Sequence, residues 1–180
     1  MPAVLSKIWK TAACDEPAAG ALSKSLNIPL PAARLLISRG FTDPVATERY
    51  LHPRLSDLTD PFLLPDMAKA VDRVWHALEK GERIAIYGDY DVDGITSTSL
   101  MIRVLCALGA KVEPFLPHRI DEGYGLSMDG IRRCIEELHP QLIITVDCGT
   151  GSVEPVKVAA AQGIDVIVTD HHTPPGEIAP

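Results

Sequence analysis

The chain reads as an α/β protein: a parallel sheet with helices on both faces, preceded by a small, mainly helical N-terminal region. Three observations predict this. From residue 83 onward short apolar runs alternate with longer segments of helical periodicity, the grammar of successive β-α-β units. Those runs are apolar at consecutive positions, as in strands covered on both sides. Residues 1–65, by contrast, are rich in proline and show no strand alternation.

Each element has its own signal. Within 1–65, short apolar pieces such as Leu35, Leu36 and Ile37 are separated by Gly40, Pro44, Pro53, Pro61 and Pro65, which predicts short helices and turns. Asp66 stands where an N-cap belongs, and Met67, Ala70, Val71, Val74, Trp75 and Leu78 follow the spacing of one buried helix face. Lys80 followed by Gly81 is a helix stop. Strands are then expected at 83–87, 111–116, 142–146 and 165–169, with helices at 95–108, 127–138 and 152–162. The chain thus divides into a lead-in over 1–65 and an α/β domain over 66–180.

Composition bounds what such a protein does. The 180 residues suit one ordinary domain with a small appendage. The charge count is 17 basic against 24 acidic residues, a formal −7, which excludes a uniformly basic nucleic-acid coat. Residues 1–80 carry ten basic and nine acidic side chains and residues 81–180 seven and fifteen, so the acid excess lies in the second part. Such a surface repels phosphate unless something cationic intervenes. MPAVLSKIWK lacks the apolar core of a signal peptide, and no run approaches the ~18 apolar residues of a membrane span. A cytoplasmic protein without membrane association is therefore expected. Cys14, Cys106, Cys134 and Cys148 form no C-x-x-C pair and suggest reduced, mostly buried thiols.

In open parallel sheets ligands gather beyond the carboxyl ends of the strands. Those ends carry Gly88-Asp89-Tyr90-Asp91-Val92-Asp93-Gly94, then His118-Arg119, then Asp147-Cys148-Gly149, and finally Asp170-His171-His172. Asp89, Asp91 and Asp93, two residues apart each, raise one another's pKa when crowded, so a divalent cation is the economical reading of the run against a solvated acidic loop. An EF-hand loop fails, because its twelfth position is Leu100 and a strand precedes it. A Walker A loop fails for want of a lysine before Thr96. A phosphatase using Asp91 as nucleophile and Asp93 as acid survives on the short motif alone. Asp170-His171-His172 then tips the balance toward a metal centre, because a carboxylate with two imidazoles offers oxygen and nitrogen ligands to Mn²⁺, Zn²⁺ or Fe²⁺.

IYGDYDVDGITS, ITVDCG and VTDHH, in this order and spacing, resemble the first three motifs of the DHH phosphoesterase superfamily. Within it, the upstream ARLLISRGFTDPVATERYLHP and the stretch Pro117-His118-Arg119 with Glu122-Gly123-Tyr124-Gly125-Leu126 are similar to the RecJ-type single-stranded-DNA-specific exonucleases. The resemblance covers about residues 30–180. It implies hydrolysis of phosphodiesters at two divalent ions, Mn²⁺ or Mg²⁺, proceeding 5′ to 3′ along single-stranded DNA with release of mononucleotides, in DNA repair and recombination. Helicase or single-strand-binding partners are implied by likeness only.

By the same resemblance Asp91 binds one ion, Asp93 and His171 the other, and Asp147 bridges them. His172 lies nearer the scissile phosphate, and Asp89 acts as a ligand or as the orienter of one. His118 and Arg119 are expected to reach the substrate phosphate and Tyr124 to offer a stacking face. Two further readings stand beside this one: a phosphoesterase of small nucleotides or pyrophosphate, and a non-catalytic DNA-binding relative. Cys148 is expected as a small buried neighbour of the site, and Arg132 and Arg133 as a solvated helix side. The superfamily's fourth metal motif and second domain have no counterpart before Pro180, so the chain is expected to be an N-terminal portion that alone binds metal weakly and hydrolyses little.

Overall fold

The structure is a computed structural model that describes residues 10, 12–117, 125–173, 176, 178 and 179. They fall into two compact units, Met1–Pro61 and Phe62–Pro180. The first holds α1 (Glu16–Leu26), α2 (Leu30–Ser38) and α3 (Pro44–Leu51). Asp15 caps α1 by accepting the Ala18 N–H, and Asp43 caps α3 by accepting those of Val45 and Ala46. Ala19, Leu22, Ala33 and Leu36 form its small core.

The second unit runs α4 (Met67–Lys80), β1 (Arg83–Gly88), α5 (Val92–Ala107), β2 (Lys111–Phe115), α6 (Met128–Leu138), β3 (Leu142–Val146), α7 (Val153–Ala161) and β4 (Asp165–Thr169). All three pairings are parallel and the strand order is β2-β1-β3-β4. Alternation sorts the side chains. Ile84, Ile86, Leu142, Ile144 and Val146 point to the face covered by Ala77 of α4 and Leu105 of α5. Ala85, Tyr87 and Ile143 point to the face covered by Ile131 and Cys134 of α6 and Val156 and Ala159 of α7. Consecutive apolar residues in β1 and β3 are thus the signature of two cores on one sheet, and both strands are buried throughout apart from Arg83.

Four expectations need correction. Trp75 is 53% exposed, because it flanks the stripe of Ala70, Val74 and Ala77 and does not lie within it. Asp66 occupies the N-cap position with a left-handed backbone and makes no capping bond; its carboxylate holds Lys69 at 2.6 Å instead. Arg133 is half-buried, its guanidinium 4.3 Å from the Phe115 ring centroid and bonded to the Leu116 carbonyl at 3.2 Å. Among the cysteines only Cys134 and Cys148 are buried, Cys14 being intermediate and Cys106 exposed on α5.

Candidate metal centre

The strand order builds the site. β1 has β2 on one side and β3 on the other, so successive crossovers leave it in opposite directions, and a crevice opens at the carboxyl ends of β1 and β3. Residues 89–93, 147 and 170–172 are thereby gathered from distant parts of the sequence.

Asp147 is the centre of the arrangement. Its backbone N–H still continues the ladder to the Thr169 carbonyl at 2.9 Å, but its φ is +62°, a conformation that costs an L-residue roughly 1 kcal/mol and that Asp tolerates better than most. The Thr145 hydroxyl, donating to the Cys148 carbonyl at 2.8 Å, holds the turn that follows. The Asp147 side chain is buried: Oδ1 lies 2.9 Å from His171 Nε2, while Oδ2 has no hydrogen-bond donor among the described residues. Burial pushes its carboxyl pKa up, the His171 bond pulls it down, and the neighbouring Asp91 carboxylate raises it again. Two facing carboxylates and a buried oxygen with no donor are costly unless a cation joins them.

Asp170 does something different from its neighbours. Its side chain is nearly buried, and Oδ1 accepts the backbone N–H groups of His171 at 2.7 Å and His172 at 3.1 Å, while Oδ2 accepts that of Thr150 at 3.0 Å. Oδ1 also meets His172 Nδ1 at 2.7 Å. Burial alone would raise its pKa, yet these bonds outweigh burial and hold it well below the usual carboxylate range. The carboxylate clamps the backbone of both histidines and the imidazole of His172, and the bond to Asp170 raises the pKa of His172. The two rings lie with centroids 4.7 Å apart.

Asp147, His171 and His172 each offer one ligand atom, and these atoms all lie within 4.8 Å of one another. Asp91 stands beside this group, facing Asp147, and its own Oδ1 accepts the Gly94 N–H at 3.0 Å. It is the N-cap of α5, which is why that helix begins at Val92 and not at residue 95. Asp93, in the first turn of α5, lines a cavity of about 300 Å³ with Thr96, Ser97, Asp147, Thr169, Asp170 and His171. Asp89 is wholly buried behind the site; it accepts the Tyr90 N–H at 2.6 Å. Burial raises its pKa, the Tyr90 and Gly125 N–H groups lower it, and the Asp91 charge raises it.

Cys148 is buried beside Asp147, and its thiol is pushed far up by burial, so it is an inert neighbour and not a soft ligand. His118, Arg119 and Tyr124 lie outside the described residues. Sequence reasoning missed the clamping role of Asp170 and the polar lining from Thr96, Ser97 and Thr169. An Asp directly after a strand and two residues before a backbone N–H that it can accept is an Asx-turn pattern, and that signal was available for Asp170.

The donor set tests well for a divalent cation. Carboxylate oxygens with one or two imidazole nitrogens suit Mn²⁺, and the carboxylates suit Mg²⁺. The buried Oδ2 atoms of Asp147 and Asp89 both lack a hydrogen-bond partner among the described residues, and a cation would relieve the one that faces Asp91.

Comparison with known proteins points the same way. Residues 83–180 match the model described as the DHH family, N-terminal domain. The chain is 42% identical over 170 residues to the single-stranded-DNA-specific exonuclease RecJ of Bacillus subtilis, covering 94% of this chain and 22% of that protein. The structure of RecJ from Thermus thermophilus in complex with Mn²⁺ superposes with a TM-score of 0.65 at 33% identity, over 91% of this chain and 22% of that one. The Mg²⁺ complex from the same organism gives 0.51 at 30% identity, over 87% and 18%. The chain spans about a fifth of the length of the curated relative it matches.

Proposed function

Because the chain belongs to the DHH family, whose N-terminal domain its residues 83–180 match, we propose that it forms part of a metal-dependent exonuclease of single-stranded DNA. The reaction is hydrolysis of phosphodiester bonds from the 5′ end with release of mononucleotides, and the setting is DNA repair and recombination. A cytoplasmic location belongs to the same proposal, as does an organisation of a helical lead-in over 1–65 before a DHH-type domain over 66–180. The support is likeness to exonucleases named RecJ at 42% identity, together with a donor set suited to the Mn²⁺ and Mg²⁺ held in RecJ structures.

Two divalent ions, Mn²⁺ or Mg²⁺, would be held by Asp91, Asp93, Asp147 and His171. When bound, such ions hold the phosphate, lower the pKa of a water and neutralise the leaving oxygen. The chain supplies the rest. Asp170 occupies His172 Nδ1 and so leaves Nε2 for a phosphate oxygen. Asp91 is aimed by its capping bond to Gly94 before any ligand arrives, so its direction is set by the fold. Asp89, which accepts the Tyr90 N–H on one oxygen and has no partner on the other among the described residues, serves as a further ligand or as the orienter of one. His118 and Arg119, with Tyr124, are proposed to meet the phosphate and a base.

The observation that carries this reading is the buried Asp147 carboxylate, bonded to His171 on one oxygen, orphaned on the other and faced by Asp91. Offering the intact protein single-stranded DNA, duplex DNA, RNA and cyclic dinucleotides with Mn²⁺ tests it. Preferential degradation of single-stranded DNA, lost with EDTA, is expected. Faster turnover of cyclic dinucleotides would move the assignment to a small-substrate phosphoesterase.

A further inference from the structure

Of the aspartates at the carboxyl edge of the sheet, Asp147 is the one whose backbone lies in the left-handed region, at φ +62°. Such a conformation persists in a residue other than glycine only where the surroundings over-determine it. Two hydrogen bonds bracket it here. The Asp147 N–H donates to the Thr169 carbonyl at 2.9 Å. Just beyond, the Cys148 carbonyl accepts the Thr145 hydroxyl at 2.8 Å, which closes a ring of chain around Val146 and Asp147. No other donor reaches that carbonyl among the described residues.

Thr145 stands on β3 between Ile144 and Val146, wholly buried, where valine would match its shape and its strand preference. A hydroxyl there is costly unless bonded, and its bond goes to the turn after the strand. Space is kept for it: a Cβ at Gly149 would stand 2.9 Å from Thr145 Oγ1, and the Gly149 φ of +112° is one that other residues rarely adopt. The anchor is itself held, because the Thr145 carbonyl accepts the Thr169 hydroxyl at 2.6 Å from the neighbouring strand. The turn so fixed delivers the Asp147 carboxylate to His171, with Oδ1 2.9 Å from Nε2.

We propose that the Thr145 hydroxyl is a positioning group for the metal centre: by holding the Cys148 carbonyl it keeps Asp147 in its left-handed conformation, and so keeps the Asp147 carboxylate turned toward the place where a cation binds. The inference rests on the metal-binding reading above. Without the hydroxyl, Asp147 is free to return to a negative φ, which swings its Cβ and carboxylate away from His171. The fraction of molecules with the carboxylate in place then falls to about a tenth, and the apparent Kd for Mn²⁺ rises in proportion.

The test is Mn²⁺ titration calorimetry on the intact Thr145→Val protein without DNA, with thermal melting in EDTA alongside. The expected result is a Kd for Mn²⁺ weakened about tenfold in Thr145→Val, and a return to the wild-type value in Thr145→Ser, which keeps the hydroxyl and loses only the methyl group. Ser127→Ala removes the side chain that caps α6 by accepting the Gly130 N–H, so it lowers the melting temperature of the same unit while leaving the Mn²⁺ Kd unchanged. A lowered melting temperature with unchanged Mn²⁺ affinity in Thr145→Val overturns the proposal, as does equal weakening in Ser127→Ala or a Thr145→Ser protein that binds no better than Thr145→Val. Asp147→Asn separates the two levels: if it leaves Mn²⁺ binding intact, the metal-centre reading itself fails, whereas weakening there with none in Thr145→Val sinks only the positioning role.

Discussion

Asp147→Asn should make the metal-free protein more stable while destroying its response to metal. The substitution is isosteric, and Asn tolerates the left-handed backbone at φ +62° at least as well as Asp. It replaces an acceptor that has no donor and faces Asp91 by an amide that can donate to that carboxylate. An unsatisfied buried polar atom costs about 1–3 kcal/mol. Against this stands a weaker bond to His171, whose side chain is 70% exposed, a loss of about 0.5–1 kcal/mol. The net gain is roughly 1–2 kcal/mol, or about 2–8 °C in melting temperature for a chain of this size. Mn²⁺ at a hundred times its Kd stabilises the wild type by about 2.7 kcal/mol and the variant by nothing. Differential scanning fluorimetry in EDTA and in Mn²⁺ should therefore show the two melting curves exchanging order. A variant less stable than wild type in EDTA, or one that keeps the Mn²⁺ shift, would refute the view that Asp147 is held under strain for a cation.

Three other outcomes follow from the packing. Gly94→Ala places a Cβ against the Asp89 backbone, where no flexible side chain can yield, so urea unfolding should show a loss of about 2 kcal/mol or more, accompanied by weaker Mn²⁺ binding. Trp75→Ala should cost under about 1 kcal/mol by the same assay because the indole is largely exposed, whereas Ile143→Ala, in the centre of the sheet, should cost about 3 kcal/mol. Burial pushes the Cys134 thiol up to about 12, above its ordinary 9.0, so the folded form holds its proton longer than the unfolded one. The corresponding stability is complete below pH 9 and declines by about 1.4 kcal/mol per pH unit between 9 and 12; at pH 8 a thiol reagent should label Cys106 quickly and Cys134 only after unfolding.

The sheet was legible in the sequence because β1 and β3 are buried on both faces, which leaves a run of apolar residues that no amphipathic helix reproduces. The strand-end aspartates were legible for a topological reason: parallel strands deliver their carboxyl ends to one edge whatever lies between them. What escaped was decided by single side chains. Trp75 sits at the margin of its helix stripe, where spacing alone does not say which side of the boundary it takes. Asp91 serves as both helix cap and site carboxylate, so α5 starts three residues before its apolar periodicity does. Asp170 carries the same chemistry as Asp147, yet the fold turns both its oxygens onto backbone N–H groups, a distinction that depends on local turn geometry.

The most direct measurement is the release of nucleotides from a 5′-ended single-stranded oligonucleotide by the intact protein at saturating Mn²⁺, compared with its Asp91→Ala and His171→Ala variants. Each variant should lose at least about three orders of magnitude in rate, with melting in EDTA close to wild type. Wild-type rates in either variant, or hydrolysis that persists in EDTA, would contradict a metal centre built from these side chains.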